Sequence, residues 1–309
     1  MKARIMTLPH TKADQATRNQ AQSKKELIIS YYEKAGPDYE TWSKNYNMHF
    51  GYWKKGLNPL NREAMLEQLN EKVFEKLSVN QVTPFVVADL GCGLGATLRY
   101  GAKKYRGMAG KGVTLVPWQV DQARSLNTAC KATESIEIIE GDYCHTKFAD
   151  NSLDAVIAIE SSCYASGANK SDLLSEIHRI LKPGGRFVIS DGFLKKPLGT
   201  EGFLRSVYDQ LCASWALTEL GNIKAVEGYL QQLKFKDIAI EDVSMNIAPS
   251  VAHVPFTVIY FLIKELLFGK EKMSKERWDN LKSPLLTMVL GSARSYFGYY
   301  FVSGTKGES

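Results

Sequence analysis

The chain has 309 residues, and its 44% hydrophobic and 23% charged residues are typical of a soluble globular protein with a full core. The formal net charge of +6 arises from 39 basic and 33 acidic residues that are spread along the sequence, so we expect no nucleic-acid partner. The five cysteines include no CxxC pair, which argues against a disulfide framework or a metal site and favours a reducing, cytoplasmic location.

The first quarter of the chain separates into two parts. Residues 1–24 are polar and lack the apolar run of a secretory signal, so the sequence predicts a partly disordered tail. Residues 25–77 predict a helical cap that is rich in aromatic side chains. The remaining residues, 78–309, predict one α/β domain.

Short apolar runs that alternate with amphipathic segments predict a parallel sheet. The predicted strands are Phe85–Leu90, Gly112–Val116, Ile136–Asp142, Asp154–Glu160 and Arg186–Asp191, with helices at Thr97–Tyr105, Pro117–Lys131 and Ser171–Leu181. Asp237–Val243 and Gly298–Thr305 are the candidate sixth and seventh strands. The pattern therefore predicts a doubly wound, mostly parallel sheet of seven strands with helical caps.

Residues 248–294, between the last two predicted strands, predict a helical insertion. Its most apolar stretch, Val254–Phe268, contains Lys264 and Glu265 and falls short of the ~20 residues that a membrane span needs. The stretch fits a lid over a hydrophobic ligand, a homodimer face, a peripheral membrane contact or ordinary core packing. The sequence leaves these four interpretations open.

Acidic residues lie at or near the ends of four predicted strands: Asp89, Asp142, Glu160 and Asp191. In open α/β sheets, ligands bind at the carboxyl ends of the strands. A group of carboxylates at that edge disfavours a polyphosphate and suits a cationic ligand that also carries ribose hydroxyls and an amine. The glycines of the loop Gly91–Gly95 would let the backbone approach such a ligand closely.

The same loop also matches the G-x-G-x-x-G/A pattern of dinucleotide-binding proteins, which makes an NAD-dependent dehydrogenase a rival hypothesis. A dinucleotide site needs an acidic residue for the ribose at the end of the second strand. This sequence has Thr114-Leu115-Val116-Pro117 at that place, which counts against the dehydrogenase.

Four segments together resemble the motifs of class I S-adenosylmethionine-dependent methyltransferases of the methyltransferase type 11 group. They are VADLGCGLG, IEGDY, FADNSLDAVIAIES and LKPGGRFVISD, and they lie between residues 86 and 191. The resemblance implies a Rossmann-like domain with S-adenosylmethionine as its cofactor. It implies cofactor contacts at Asp89, Gly91, Gly93, Gly95, Asp142 and Tyr143.

The segment GVTLVPWQ, residues 112–119, is similar to a segment of the sterol, tocopherol and cyclopropane-fatty-acid-synthase-like methyltransferases. This resemblance implies that Thr114 and Gln119 contact the cofactor and that Glu160 matches an acidic residue of the sterol and tocopherol enzymes. Their aromatic N-terminal segment closes over cofactor and acceptor, which implies that Tyr39 and Trp42 lie at the cofactor. The predicted acceptor pocket contains His49, Tyr52, Trp53, Tyr164, Phe256 and Tyr260.

The predicted reaction is methyl transfer to a small, largely hydrophobic acceptor, isoprenoid or lipid-like, with methylation of carbon favoured over that of nitrogen or oxygen in a small natural product. Glu160 could stabilise a carbocation, accept a proton from an O–H or N–H group, or bind backbone amides as a structural residue. A protein that binds the cofactor without catalysis is a further rival. The intact glycine loop, Asp89, Asp142 and Glu160 argue against it.

Overall fold

The computed structural model describes residues 12–79, 83–269 and 272–308. The strands are β1 (Phe85–Leu90), β2 (Met108–Thr114), β3 (Ile136–Glu140), β4 (Leu153–Ile159), β5 (Leu181–Leu194), β6 (Gly221–Asn222), β7 (Lys236–Asp242) and β8 (Phe297–Thr305). The helices are α1 (Lys12–Ala35), α2 (Arg62–Leu77), α3 (Ala96–Lys104), α4 (Pro117–Ala129), α5 (Ser171–Ile180), α6 (Phe203–Ser214), α7 (Ile223–Gln232), α8 (Ser244–Val251), α9 (Val254–Phe268) and α10 (Lys275–Ser292).

The strands form one sheet in the order β3-β2-β1-β4-β5-β8-β7, with the two-residue β6 beside β5. Strands β1 to β6 pair in parallel, and β8 runs antiparallel to both β5 and β7. The predicted α/β class with a doubly wound, mostly parallel sheet is confirmed. The sequence analysis missed β6, because two residues are too few to show a strand pattern.

Both faces of the sheet are covered by apolar helix faces, as a parallel sheet requires. On one face, Val87 and Ile157 of the strands pack with Phe74 of α2 and Val120 of α4. On the other face, the neighbouring residues along the same strands pack against α5 and α7. That second cluster includes Ala88, Val156, Leu173, Ile177 and Leu230.

The structure corrects two predicted boundaries. Helix α1 already begins at Lys12, so residues 12–24 are helical rather than part of a tail, and residues 1–11 lie outside the described part of the chain. The Ala, Gln, Lys and Arg residues of this segment are good helix formers, which polarity alone does not reveal. The insertion begins at Ser244 rather than at residue 248, and it consists of the three helices α8, α9 and α10.

The ends of β1, β4 and β5 lie beneath two groups of helices. The N-terminal group is α1 with the short 3-10 turn Gly36–Thr41 that follows it. The second group consists of α6, α8 and α10, and α6 packs against α10 through a cluster that includes Leu211 and Leu290. The space left between the sheet edge and these helices is the candidate site.

Candidate active site

The loop after β1 turns sharply because three of its glycines adopt left-handed backbone conformations, with φ of +89° at Gly91, +51° at Gly93 and +74° at Gly95. A Cβ atom at Gly91 would lie 2.3 Å from the Cβ atom of Ser161, so no other residue fits there. Gly95 ends the turn at the N-cap of α3 and does not line a cavity. Its role in the structure is the turn itself rather than the expected ligand contact.

A cavity of about 290 Å³ lies over this loop, and we call it the cofactor cavity. It contains most of the residues that the sequence predicts for cofactor binding. The lining includes Asp89, Gly91, Gly93, Thr114, Gln119, Asp142 and Tyr143, together with His49, Glu160 and Tyr164. The first turn of α3 also contributes to the lining, so a helix N-terminus faces the cavity.

Asp89 lies at the floor of the cofactor cavity and is 3% exposed. Burial raises the pKa of its carboxyl group to about 7. Among the described residues, none donates a hydrogen bond to this carboxyl group. Because Asp89 lines the cavity, a ligand with donor groups can reach its carboxyl group and hydrogen-bond to it.

Asp142 lies in the lining of the same cavity, next to α1. Its Oδ2 atom is 2.8 Å from Nζ of Lys25, and its Oδ1 atom accepts a 2.9 Å hydrogen bond from the amide of Cys144. Burial acts to raise the pKa of Asp142, but the hydrogen bonds from Lys25 and Cys144 outweigh burial and hold that pKa below its usual value. The neighbouring Lys24 donates to the carbonyl of Tyr164 at 2.7 Å, so α1 closes this side of the cavity.

A second cavity of about 400 Å³ lies next to the first, and we call it the acceptor cavity. Helices α6, α8 and α10 contribute apolar residues to its walls, such as Leu211, Ile247, Val251 and Leu290, and Leu217 follows α6. The only carboxylates in the lining are Glu160 and Asp191, and no lysine or arginine of the described residues contributes to it. This cavity is suited to a hydrophobic ligand without negative charge.

Glu160 lies at the junction, because it lines the cofactor cavity, the acceptor cavity and a smaller side cavity of about 90 Å³. Its Oε1 atom accepts hydrogen bonds of 2.8 Å from the Phe50 amide and from the Tyr299 hydroxyl. In the described part of the chain, Oε2 has no hydrogen-bond partner. Burial raises the pKa of Glu160 to about 8, and its backbone is held at a φ of +47°.

Asp191, the other carboxylate of the acceptor cavity, has a different environment. Its oxygens accept hydrogen bonds from the Ser162 hydroxyl at 2.7 Å and from the amides of Cys163 and Gly192 at 3.0 and 2.7 Å. Each carboxylate oxygen therefore has a protein donor. Asp191 holds the turn after β4 in place, whereas Glu160 keeps one oxygen open to the junction.

His49 lines the cofactor cavity but is buried, and a neutral ring can donate to only one of the two protein oxygens that its nitrogens face. Its ring nitrogens lie 2.8 Å from the Phe50 carbonyl oxygen and 3.1 Å from Oδ1 of Asn70. Burial lowers its pKa to about 4, so the ring is neutral at physiological pH. This arrangement orients the backbone of Phe50, whose amide donates to Glu160.

Two of the predicted cofactor contacts lie on the acceptor side instead. Tyr39 lines the acceptor cavity and the side cavity, and Trp42 lines only the side cavity. The Trp42 ring stacks beneath the Arg62 guanidinium at 4.7 Å, and its Nε1 donates to the His49 carbonyl. These interactions hold the Trp42 ring outside the cofactor cavity.

Four of the six predicted acceptor-pocket residues do not line a described cavity, which corrects the sequence analysis. Tyr52 stacks on Phe301 in the core with ring centroids 5.9 Å apart, and the Trp53 indole donates to the Leu57 carbonyl. Phe256 and Tyr260 are 73% and 60% exposed on the outer face of α9. An aromatic-rich sequence does not reveal which rings face a cavity. Of the predicted residues, Tyr164 lines both larger cavities, as expected.

The sequence analysis missed several residues of the junction. Met48 lines all three cavities, Trp215 lines the acceptor and side cavities, and Tyr299 hydrogen-bonds Glu160. Met48 precedes His49 in the aromatic segment, so the resemblance that placed His49 in the pocket could also have placed Met48 there. Trp215 and Tyr299 carry no local signal, since they reach the site only through the packing of α6 and the antiparallel pairing of β8.

Comparisons with known proteins agree with this geometry. Residues 88–189 match the family described as "Methyltransferase domain". The chain is 26% identical to methyltransferase GfsG of Streptomyces halstedii over 76% of this chain and 82% of that protein. It is 29% identical to cycloartenol-C-24-methyltransferase 1 of Oryza sativa subsp. japonica over 53% of this chain, and it spans only 45% of that protein's length.

Among solved structures, a protein described as a sarcosine dimethylglycine methyltransferase of Galdieria sulphuraria shares the fold. The TM-score is 0.75 at 14% sequence identity, and the alignment covers 90% of this chain and 99% of that one.

Proposed function

We propose that this chain, which carries a class I S-adenosylmethionine-dependent methyltransferase domain, methylates an electron-rich carbon of a small hydrophobic acceptor without negative charge. The observation that carries this proposal is the position of Glu160. Its unpartnered Oε2 atom lies where the cofactor cavity meets an apolar cavity that has no cationic lining residue among those described.

The cofactor cavity fits S-adenosylmethionine by the chemistry of its groups. The unpartnered Asp89 carboxylate can accept from the amine or a ribose hydroxyl, and Asp142 can accept from the adenine amino group. A Cβ atom at Gly93 would lie 2.9 Å from Sδ of Met48, so a larger residue there would displace the Met48 side chain, which lines the same cavity. S-adenosylmethionine supplies an electrophilic methyl group on a cationic sulfur.

Glu160 supports this chemistry in two ways. A nearby cation favours the ionised form of a carboxyl group, so the Glu160 carboxylate forms when the cofactor is bound. A carboxylate at the junction stabilises positive charge that develops on an attacked alkene carbon. It can then hold the proton that the carbon skeleton releases, since a group with a pKa of about 8 is a competent base near neutral pH.

The surrounding aromatic side chains exclude water from the junction. Tyr32, Tyr39, Phe50 and Trp215 line the acceptor cavity around Glu160. Aromatic faces also attract cations, which suits a reaction whose donor and intermediate are both positively charged. The rate gain of such a reaction comes from alignment and from removal of water rather than from a protein nucleophile.

Methylation of a phenol or an amine is the second candidate. The raised pKa of Glu160 favours it as well, because the same carboxylate could accept an O–H or N–H proton. The low polarity of the acceptor cavity supports carbon, since apolar and aromatic side chains make up most of its described lining. The name of the cycloartenol relative, a C-24 methyltransferase, is consistent with carbon.

The test is transfer of a labelled methyl group to a matched panel of acceptors. The panel pairs an isoprenoid alcohol with its diphosphate and adds a phenol and a secondary amine of similar size. We expect a product methylated on an alkene carbon from the alcohol and little product from the diphosphate. Methylation of only the phenol or the amine would replace this proposal with the second candidate.

A cytoplasmic location and the absence of a nucleic-acid partner stay predictions. Three of the five thiols, those of Cys92, Cys163 and Cys212, are buried as free cysteines, which supports a reducing environment.

A further inference from the structure

Helix α9 is apolar on two opposite faces. Residues that recur at helical spacing on its outer face are exposed to solvent: Phe256, Ile259, Tyr260, Ile263, Leu266 and Leu267. We call these six residues the outer stripe. Their exposed fractions run from 51% at Ile263 to 85% at Leu266. A continuous exposed apolar stripe of this kind marks a contact with another apolar surface.

The inner face of the same helix belongs to the functional site. Val254, Thr257, Val258 and Phe261 line the side cavity, which also contains Glu160 and Trp215. Tyr39, Met48 and Phe50 line this side cavity and the acceptor cavity alike. Helix α9 therefore lies between the outside and the side cavity, which adjoins the acceptor cavity at Glu160.

The geometry of α9 fits a position in the plane of a membrane surface rather than across it. Residues Ser244–Phe268 are long and apolar enough for a span, but the chain divides them into α8 and α9. The 15 residues of α9 reach about 22 Å, short of the roughly 30 Å of a bilayer core. The inner face of α9 is in addition occupied by the site.

The exposed charged residues of α9 and of the described segment that follows it, through α10, are lysines. Lys264, Lys272, Lys275 and Lys282 are exposed, and among the described residues none of them forms an ion pair. The acidic groups nearby are engaged, since Glu265 binds Arg277 and Glu276 binds Lys34. Asp279 is half-buried, and its single negative charge is outnumbered by the four exposed lysines. Basic residues beside an apolar helix face are the composition of a helix that binds anionic lipid.

We propose that the outer stripe docks α9 onto an anionic lipid surface and that the hydrophobic acceptor reaches the junction from this surface. The route of the acceptor to the junction rests on the proposed function, whereas the docking itself does not. A second copy of this chain is the less favoured occupant. A symmetric contact through the outer stripe would bring the unpaired lysines of two copies together.

The experiment measures binding of the full chain to vesicles of phosphatidylcholine with and without phosphatidylglycerol, by flotation. The test variant is Leu266→Glu, which adds a negative charge at the most exposed position of the stripe. The matched control is Phe203→Glu at the start of α6, because Phe203 is 72% exposed and lies outside the stripe. Circular dichroism and cofactor binding show whether both variants keep the fold.

We expect the wild type and Phe203→Glu to float with anionic vesicles, and Leu266→Glu to bind at least about tenfold more weakly, the effect of losing one buried leucine from an apolar medium. Binding should also weaken at high salt and without phosphatidylglycerol. No flotation of the wild type, or equal losses in both variants, would overturn the proposal. So would a dimer in light scattering that Leu266→Glu dissociates without any vesicle binding. Because flotation needs no acceptor, its failure is distinguishable from failure of the methyl-transfer assay.

Discussion

At the scale of single residues, Glu160 and Asp191 show how environment divides the work of two carboxylates. Both are buried, Glu160 directly after β4 and Asp191 within the neighbouring β5, and burial raises the pKa of both. Asp191 accepts three hydrogen bonds from the protein, with a donor on each oxygen, and these bonds fix its position. Glu160 receives both of its donors on Oε1, and the remaining oxygen faces the junction.

The variant Glu160→Gln tests this division. A glutamine can still accept from Phe50 and Tyr299 through Oε1, but it carries no charge. We expect turnover to fall by at least ~100-fold, the order of loss for a well-placed electrostatic partner, while cofactor affinity changes only a few-fold. Turnover against pH and the melting temperature are measured for both proteins.

Tyr299→Phe is the companion variant, since it removes one donor to Glu160 and leaves the carboxylate. A smaller loss of turnover with a shifted pH profile is expected there. If a stable Glu160→Gln protein keeps near-wild-type turnover, Glu160 has only a structural role.

At the scale of elements, α1 closes the cofactor cavity through an ion pair whose carboxylate is also predicted to bind the cofactor. The Lys25 ammonium group occupies Oδ2 of Asp142, the carboxylate that the sequence motif assigns to the adenine amino group. The pair is partly exposed, so its own contribution is small, about 1 kcal/mol or less.

We therefore expect opposite effects from the two partners. Asp142→Ala should weaken cofactor binding by roughly 1–3 kcal/mol, the scale of a hydrogen bond to a charged group. Lys25→Ala should leave the affinity unchanged or tighten it a few-fold, because it frees Oδ2. Calorimetry with S-adenosylhomocysteine measures both variants. Equal weakening by the two would mean that the ion pair, rather than adenine recognition, is what Asp142 provides.

The wall of the acceptor cavity offers a second test at this scale. Gly192 of β5 lines the cavity, and a Cβ atom there would meet no atom within 4 Å. Gly192→Leu should therefore fill cavity space without a clash. We expect unchanged cofactor affinity and melting temperature, with turnover lost for long acceptors and retained for short ones.

Gly228→Leu in α7 is the matched control, because a Cβ atom there also meets no atom within 4 Å but Gly228 lines none of the three cavities. Turnover is measured on acceptors of graded length. A uniform loss for all lengths in Gly192→Leu, or the same loss in Gly228→Leu, would contradict the assignment of this cavity.

The sequence predicts a site residue where the pattern that marks it is local, and it does not where the contact joins distant parts of the chain. The glycine loop and the carboxylates at the strand ends are local patterns, so Asp89, Asp142 and Glu160 could be placed from the sequence. The partner of Glu160 could not, because Tyr299 is 139 positions away and arrives through the pairing of β8 with β5. Helix α9 is apolar on both faces, so its composition predicts a helix but not that Phe256 faces solvent while Phe261 faces the site.

At the scale of the whole molecule, the buried carboxylates of the site oppose the stability of the fold. Burial raises the pKa of Asp89 to about 7 and that of Glu160 to about 8, whereas both ionise near pH 4 in an unfolded chain. Between these values the folded protein binds more protons than the unfolded one. Its free energy of unfolding therefore falls as the pH rises through the folded pKa values.

The clearest window is pH 6.5 to about 8. The pKa of His49 is lowered to about 4 by burial, so it changes stability with the opposite sign only below its unfolded pKa of about 6.5. We expect the melting temperature of the cofactor-free protein to fall across this window, and the fall to be smaller in the double variant Asp89→Asn, Glu160→Gln. A cationic cofactor favours the carboxylates, so its affinity should rise over the same range. Thermal denaturation and calorimetry at several pH values check both trends, and a melting temperature that rises with pH would contradict them.

The cofactor cavity and the acceptor cavity draw on different stretches of the chain. Most residues that line the first lie between Asp89 and Asp172, whereas α6, α8 and α10 line only the second. The two cavities meet at Glu160. We therefore expect that exchanging the cavity-facing residues of these three helices for those of another member of the fold changes which acceptor is methylated and leaves the methyl donor the same.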